Sequence, residues 1–297
     1  MIDRFLDYLR YELHLSPLTV RSYGSDLRQW NDFVTGGNRD VEWSSLSSAD
    51  VRGWLVQRSQ QGDCARTLRR KVQAVRALFR YLMRQGVVSD NPAAEIELAR
   101  LPRHLPHFIR EQQLDVALDS EVDEDDFTEV RDRLMLMMFY QTGIRRAELI
   151  GLQDANVDTD TCQIKVHGKR DKERIVPFGD ELKQWIDHYR ELRLRWVEAD
   201  CPHFFVTLRG GAIYPSLVYH VVHDRLEQAG CEGQLSPHVL RHSCASALLN
   251  NGAQLTSVKE ILGHESLSTT QIYTHVTLSE LKHNYKLAHP RALKHGE

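Results

Sequence analysis

Proline placement about one third of the way along the chain constrains its fold most. Pro102 and Pro106 lie four residues apart, shortly after Asn91-Pro92. Proline lacks an amide proton and pushes the preceding residue out of the helical region, so this stretch is predicted to be an extended linker. A chain of 297 residues has the length of two ordinary domains. We therefore predict a domain over residues 1–86, a linker over 87–106 and a second domain over 107–297.

Residues before the linker carry apolar side chains three and four positions apart, which is typical of amphipathic helices. Ser16-Pro17 supplies an N-cap and a first-turn proline, and Asp50 completes a capping box with Ser47. Four helices are predicted, over 1–15, from Pro17 to Gly36, from about Ser47 onward and over 65–85. The first domain is therefore predicted to be all-α.

Residues after the linker mix two periodicities. Two short apolar segments, 162–166 and 174–178, flank a polar turn that contains Gly168, which indicates a β-hairpin. Helices are predicted at 132–141, 180–198, 216–229, 237–251, 256–262, 267–273 and 279–287. The second domain is therefore predicted to be mixed and mainly α, with a small antiparallel β-sheet.

Charge is unevenly distributed along the sequence. The net charge of −3 alone argues weakly against a nucleic-acid partner. However, residues 64–89 hold seven basic residues and no acidic one, whereas 115–129 hold eight acidic residues and no basic one. Salt screens charges beyond about 10 Å at 0.1 M ionic strength, so a polyanion responds to the local field rather than to the average.

Neither secretion nor membrane insertion is predicted. The segment Met1–Phe5 lacks a basic start followed by an apolar core. No apolar run approaches the ~18 residues of a membrane span. The five cysteines are scattered without a CxxC pair, so neither a disulfide framework nor a cysteine zinc site is indicated. These features predict a reducing, cytoplasmic setting.

The basic segment predicts a helix with two faces. Apolar residues recur at helical spacing on one face, and most of the basic residues fall on the other. A helix this basic suits a DNA major groove, with arginines on phosphates and guanine edges. The candidate DNA contacts are Arg66, Arg69, Arg70, Arg76 and Arg80. The alternative is an ordinary surface helix with solvated arginines.

Six spaced polar residues form the candidate active site, namely Arg145, Lys169, His238, Arg241, His264 and Tyr273. Together they supply what is needed to break a phosphodiester with a protein nucleophile and no metal. The two arginines suit the non-bridging phosphate oxygens. Tyr273 is a candidate nucleophile, although its hydroxyl pKa near ~10 must be lowered or met by a base. Lys169 could protonate the leaving oxygen, and His264 could donate a hydrogen bond.

Each of these residues also has an ordinary structural interpretation. His238 and His242 are one helical turn apart, but a zinc site needs a third ligand, and the glutamate of an HExxH motif is missing. For His238 and Arg241 the ordinary interpretation is a capped surface helix that begins at Ser236-Pro237. The other ordinary roles are an ion pair of Arg145 with Glu148, a surface turn for Lys169 beside Lys165 and Lys172, a cap for His264 and packing for Tyr273.

The order and spacing of five motifs resemble the tyrosine recombinases, also called the phage-integrase family. The motifs are Thr142-Gly143-Ile144-Arg145 with Glu148-Leu149, Gly168-Lys169, His238-Val239-Leu240-Arg241-His242, Leu262-Gly263-His264 and Tyr273. The resemblance covers nearly the whole chain. Within the family, Asn91-Pro92-Ala93 and the segment around Ser16-Pro17 look most like those of XerC/XerD-type bacterial recombinases.

The resemblance implies a SAM-like, helical core-binding domain and a catalytic domain that close on duplex DNA. It implies site-specific recombination through a 3′-phosphotyrosine on Tyr273, with no metal, ATP or other cofactor. The implied role is resolution of chromosome or plasmid dimers, with chromosome partition at cell division; integration or excision of a mobile element is the alternative. Implied partners are double-stranded DNA, a tetramer with itself or a paralogue, and a division-associated DNA motor protein.

The C-terminal segment carries an imperfect apolar face, formed by Leu278, Leu281, Tyr285 and Leu287. In similar proteins such a segment docks on a neighbouring protomer, which is what the resemblance implies here. Packing within the chain is the alternative. Two other functional classes stay open at this point, a non-catalytic DNA-binding protein with the same fold and a relaxing topoisomerase.

Overall fold

The chain forms two compact units, Met1–His104 and Leu105–Glu297. The computed structural model describes residues 1–36, 42–98, 109, 111–168, 173–197, 201–263 and 284–292. Each unit encloses its own cluster of buried apolar side chains. Among the described residues, no helix combines the length and the apolar character that crossing a bilayer requires.

The first unit is all-α, as predicted. Its helices are α1 (Ile2–Asp7), α2 (Pro17–Thr35), α3 (Ser48–Gln60) and α4 (Ala65–Arg84), with a 3-10 turn at Trp43–Ser45. The Ser16 hydroxyl accepts from the Thr19 amide at 3.2 Å, and Ser47 and Asp50 form the predicted capping box. The first helix differs from expectation because α1 continues as a wider π-helical turn over Tyr8–Glu12.

The basic residues of α4 do not share one environment. Lys71 lies on the buried face, 2% exposed, where its ammonium donates to the buried Asp26 carboxylate at 3.2 Å. Arg70 also pairs with Asp26, and Arg69 and Arg76 donate to backbone carbonyls of residues 93–98. Arg66 and Arg80 are exposed. Much of the positive charge of α4 therefore contributes to holding the first unit together.

The second unit is mainly helical and contains a small antiparallel sheet. Its helices are α5 (Glu111–Asp119), α6 (Phe127–Thr142), α7 (Arg146–Ile150), α8 (Asp180–Trp196), α9 (Pro215–Gln228), α10 (Pro237–Asn250) and α11 (Leu255–Leu262). The strands β1 (Val157–Asp158), β2 (Gln163–His167) and β3 (Glu173–Pro177) pair in the order β1-β2-β3. The predicted hairpin is β2 and β3, with Ile164 opposite Val176; β1 is a third strand that was not predicted.

Helix α6 is the centre of this unit. Twelve of its sixteen residues are buried, and α8, α9 and α10 pack against it. It begins five residues earlier than the predicted 132–141 because the Asp126 carboxylate caps it, accepting from the amides of Thr128 and Glu129. It ends at Gly143 in the left-handed conformation, with φ of 60°. This end leads directly to the candidate active site.

The described C-terminal residues 284–292 pack against their own chain. Arg291 is 1% exposed and donates to Glu181 at 2.7 Å, Asp119 at 2.7 Å and Asp115 at 3.0 Å. Of the predicted apolar face, Tyr285 is buried but Leu287 is 66% exposed, so docking of this face on a neighbouring protomer stays a prediction. The segment before it, which includes the helix predicted over 267–273 and most of the one predicted over 279–287, lies outside the described residues.

Replacing Arg291 by methionine should destabilise the second unit. The substitution keeps the apolar stem but leaves Glu181 buried without its cation, and breaking a buried pair costs about 3 kcal/mol or more. Urea denaturation followed by circular dichroism measures this loss. The matched control is Arg195→Met on α8, whose partner Glu191 is 3.9 Å away and exposed, and which should cost less than about 1 kcal/mol. Equal effects of the two variants would contradict the anchoring role of Arg291.

Candidate active site

The C-terminal end of α11 gathers three arginines. The last carbonyls of a helix have no partner within it and carry the negative end of its dipole. Three successive carbonyl oxygens of this end each accept from a different arginine. The pairs are Arg174 Nε with Ile261 at 2.8 Å, Arg241 Nη2 with Leu262 at 2.5 Å and Arg145 Nη2 with Gly263 at 2.6 Å. The Leu262-Gly263 motif therefore has a structural role, because it offers these carbonyls.

Arg145 occupies the N-cap position of α7. Its backbone amide donates to Glu148 Oε2 at 2.8 Å, and its Nη1 donates to Glu148 Oε1 at 2.7 Å. The ion pair expected as the ordinary role of Arg145 is thus present. The Arg145 side chain nevertheless stays 36% exposed. The pair and a ligand-binding role are compatible, because guanidinium has five donor hydrogens and the bonds to Glu148 and Gly263 use only part of them.

Arg174 on β3 is part of this cluster, and the sequence reasoning missed it. Its Nη1 and Nη2 each donate to one oxygen of Glu148 at 2.8 Å, in a bidentate pair. Arg174 is paired in register with Val166, which is 1% exposed, and its side chain is only 13% exposed. A charged residue at an inward position of the predicted hairpin was the available signal, since such a residue needs a buried partner.

Glu148 is ionised although its side chain is only 4% exposed. Burial by itself would raise the pKa of this carboxyl, but the hydrogen bonds from Arg174 and Arg145 outweigh burial and lower the pKa. One carboxylate thus faces three guanidinium groups, those of Arg145, Arg174 and Arg241. This cluster of described residues carries an excess of two positive charges, which suits an anionic ligand.

Arg241 is almost fully buried one turn into α10. Its Nη1 donates to the carbonyl of Gly143 at the end of α6, and its Nη2 donates to Leu262. Burial, together with repulsion from Arg145, lowers the pKa of Arg241 to about 10. The guanidinium therefore keeps its charge near neutral pH. The structure brings Arg145 and Arg241 to the adjacent carbonyls of Gly263 and Leu262.

His238 lies two residues into α10, after the Ser236 N-cap and Pro237. Although the side chain is exposed, surrounding protein partly desolvates the ring and lowers the pKa of His238, and the charges of Arg146 and Arg241 lower it further. A neutral imidazole is the consequence near neutral pH, and it can accept a proton.

The zinc interpretation of His238 finds no support among the described residues. The one group of three potential ligands found within them is His223, Asp224 and Glu227 on α9, and it includes neither His238 nor His242. Lys165, the competitor of Lys169, pairs with Glu173 at 2.7 Å. Lys169, His264 and Tyr273 themselves lie outside the described residues, so their placement stays a prediction.

Two family models match the sequence. Residues 107–280 match the phage integrase family, and residues 2–86 match its N-terminal SAM-like domain. The fold and the site thus define a protein with a SAM-like helical domain and a mainly helical catalytic domain. The chain belongs to the phage integrase family of tyrosine recombinases, which are DNA strand-exchange enzymes. The predicted fold class is confirmed.

Full-length relatives are Xer proteins. The chain is 38% identical over 295 residues to tyrosine recombinase XerD of Yersinia pestis and 34% identical over 295 residues to XerC of Anoxybacillus flavithermus, with 98% of each chain covered. Among solved structures, XerH bound to its difH substrate before cleavage matches with a TM-score of 0.68 at 22% identity. That match covers 96% of this chain and 83% of the XerH chain, and it shows the fold.

Gly143→Ala should destabilise the second unit by about 3 kcal/mol. Gly143 has φ of 60°, and an alanine held in this left-handed conformation costs ~1–2 kcal/mol. Its β-carbon would also overlap the Leu262 side chain, and such overpacking costs ~1–3 kcal/mol. Gly230→Ala is the control, because Gly230 has a similar φ of 71° with nothing within 4 Å of a β-carbon. It should cost only the strain. Equal losses in urea denaturation would show that Leu262 moves aside freely.

Proposed function

We propose that the chain cuts and rejoins DNA through a 3′-phosphotyrosine formed by Tyr273. The observation that carries this proposal is the excess of positive charge at the end of α11, where the Arg145 side chain is partly exposed. A phosphodiester transition state places negative charge on its non-bridging oxygens, and fixed guanidinium groups stabilise that charge. Arg145 and Arg241 are the residues proposed to hold these oxygens.

The remaining roles complete a balanced exchange. The Tyr273 oxygen attacks phosphorus while His238 takes its proton, and the bond from phosphorus to the 5′ oxygen breaks. Lys169 supplies a proton to that leaving oxygen, and His264 adds a hydrogen bond to the phosphate. The 5′ hydroxyl of a partner duplex then attacks the phosphotyrosine. One phosphodiester replaces another, so the proposed reaction uses no ATP and no metal.

A Xer-type role is proposed for this activity, namely resolution of chromosome or plasmid dimers in the cytoplasm. It is supported by XerC and XerD relatives that match over 98% of both chains. Integration or excision of a mobile element is the second candidate, since the fold is shared with integrases such as that of Tn1549. The proposed partners are double-stranded DNA, a tetramer with itself or a paralogue, and a division-associated DNA motor.

The domain limits 1–86, 87–106 and 107–297 belong to this proposal, as do the DNA contacts of α4. Arg66 and Arg80 are the favoured contacts, because both are exposed. Hydrogen bonds within the first unit already use some of the donors of Arg69, Arg70 and Arg76. A DNA contact by any of these three arginines would use its remaining N–H groups.

A nicked duplex library tests the nucleophile. Randomised duplexes with a nick near the cleavage site trap the enzyme, because the short leaving fragment diffuses away. We expect an SDS-stable DNA adduct with the wild-type chain and its loss, by at least about 1000-fold, in Tyr273→Phe. Tyr219→Phe is the control, since Tyr219 is 40% exposed on α9 and should leave the adduct unchanged. An adduct that persists in Tyr273→Phe would overturn the assignment.

The DNA sequence captured in this way then tests the biological role. A supercoiled plasmid with two direct repeats of that site should resolve into two circles, alone or with a paralogous recombinase. Deletion of the gene in its host should cause chromosome and plasmid multimers to accumulate. Relaxation without resolution would indicate a topoisomerase. Excision of a linked element, with no accumulation of multimers, would favour the mobile-element role.

A further inference from the structure

Arg174 has every guanidinium nitrogen committed to protein. Nε donates to the Ile261 carbonyl, and Nη1 and Nη2 donate to the two oxygens of Glu148, each at 2.8 Å. Its side chain is 13% exposed, whereas that of Arg145 is 36% exposed. Arg174 is therefore placed to support other groups of the site, and Arg145 is the more accessible of the two.

Glu148 is the first group that Arg174 controls. The carboxylate is shared between Arg145 and Arg174, so neither cation neutralises it alone. Without Arg174, Arg145 would be the only cation hydrogen-bonded to Glu148, and the excess of positive charge in the cluster would fall from two to one. Arg145 would then turn further toward Glu148, because a fork of two parallel bonds is the preferred geometry for an arginine and a carboxylate.

The turn that precedes His264 is the second group. Gly263 is left-handed with φ of 63°, and a β-carbon there would lie 3.1 Å from Arg174 Cδ and 3.2 Å from Arg174 Nη1. The Arg174 side chain thus lies directly against Gly263, whose carbonyl accepts from Arg145 at 2.6 Å. Removing this side chain would free the turn on that side.

We propose that Arg174 is a positioning residue for DNA cleavage. It holds Glu148 and the α11 end so that Arg145 and Arg241 meet the scissile phosphate with their charge and orientation intact. The inference rests on the proposed function, because it assumes that Arg145 and Arg241 hold that phosphate. It predicts a defect in the chemical step that is separate from DNA affinity.

The test uses the full-length chain and the nicked duplex captured from the random library. Arg174→Met keeps the apolar stem and should slow adduct formation at saturating protein by about 100-fold, with a change in Kd for the same duplex below about threefold. Arg174→Lys keeps the charge without the fork and should recover part of the rate. It also serves as the deciding variant if Arg174→Met does not fold, as judged by urea denaturation.

A double-mutant cycle with Glu148→Gln tests whether Arg174 acts on the cleavage rate through Glu148. If Arg174 acts through Glu148, Arg174→Met should slow adduct formation at least about tenfold less in the Glu148→Gln background than in the wild type. Independent, multiplicative losses would overturn the inference. So would a wild-type rate in Arg174→Met, or losses of rate and affinity that simply track lost stability.

The two levels of the proposal fail differently. If the wild-type chain forms no adduct, or if Tyr273→Phe still forms one, the proposed function falls and the role of Arg174 falls with it. If the wild-type adduct forms through Tyr273 but Arg174→Met reacts at the wild-type rate, only the role of Arg174 is wrong.

Discussion

Hydrogen bonds at the C-terminus of α11 connect elements of the catalytic unit that are far apart in sequence. The last three carbonyls of this helix end have no helical partners, and arginines from β3, α10 and the start of α7 each satisfy one of them. The end of α6 joins the same cluster through Gly143. Three guanidinium groups repel one another, but the negative C-terminal end of α11 and the Glu148 carboxylate offset this repulsion. Geometry and charge are therefore fixed by the same bonds.

Short sequence motifs were enough to predict two of the arginines in this cluster. Arg145 and Arg241 were expected from their motifs. Arg174 was missed because its role depends on strand register, which places it on the inward face beside α11. Strand β1 was missed because two residues carry no detectable alternation. The burial of Lys71 was missed because its partner Asp26 comes from another helix.

Charge runs in the sequence have mixed structural uses. In the basic helix α4, Arg69 and Arg76 bind carbonyls of an irregular segment, whose path no periodicity could reveal. In the acidic run, Asp126 caps α6, and Asp115 and Asp119 neutralise the buried Arg291. Part of each run is therefore paired within the protein, although Asp115 and Asp119 themselves stay 36% and 53% exposed.

The packing of residues 284–292 against the catalytic unit limits how far the proposed nucleophile, Tyr273, can lie from that unit. Tyr273 lies ten residues after Gly263 and eleven before residue 284, and both flanking points are held in the catalytic unit. An extended chain spans at most ~3.5 Å per residue, so the tyrosine stays within about 35 Å of Gly263. Tyr273 could therefore reach the active site of a neighbouring protomer only if that site lies within about 35 Å of its own Gly263.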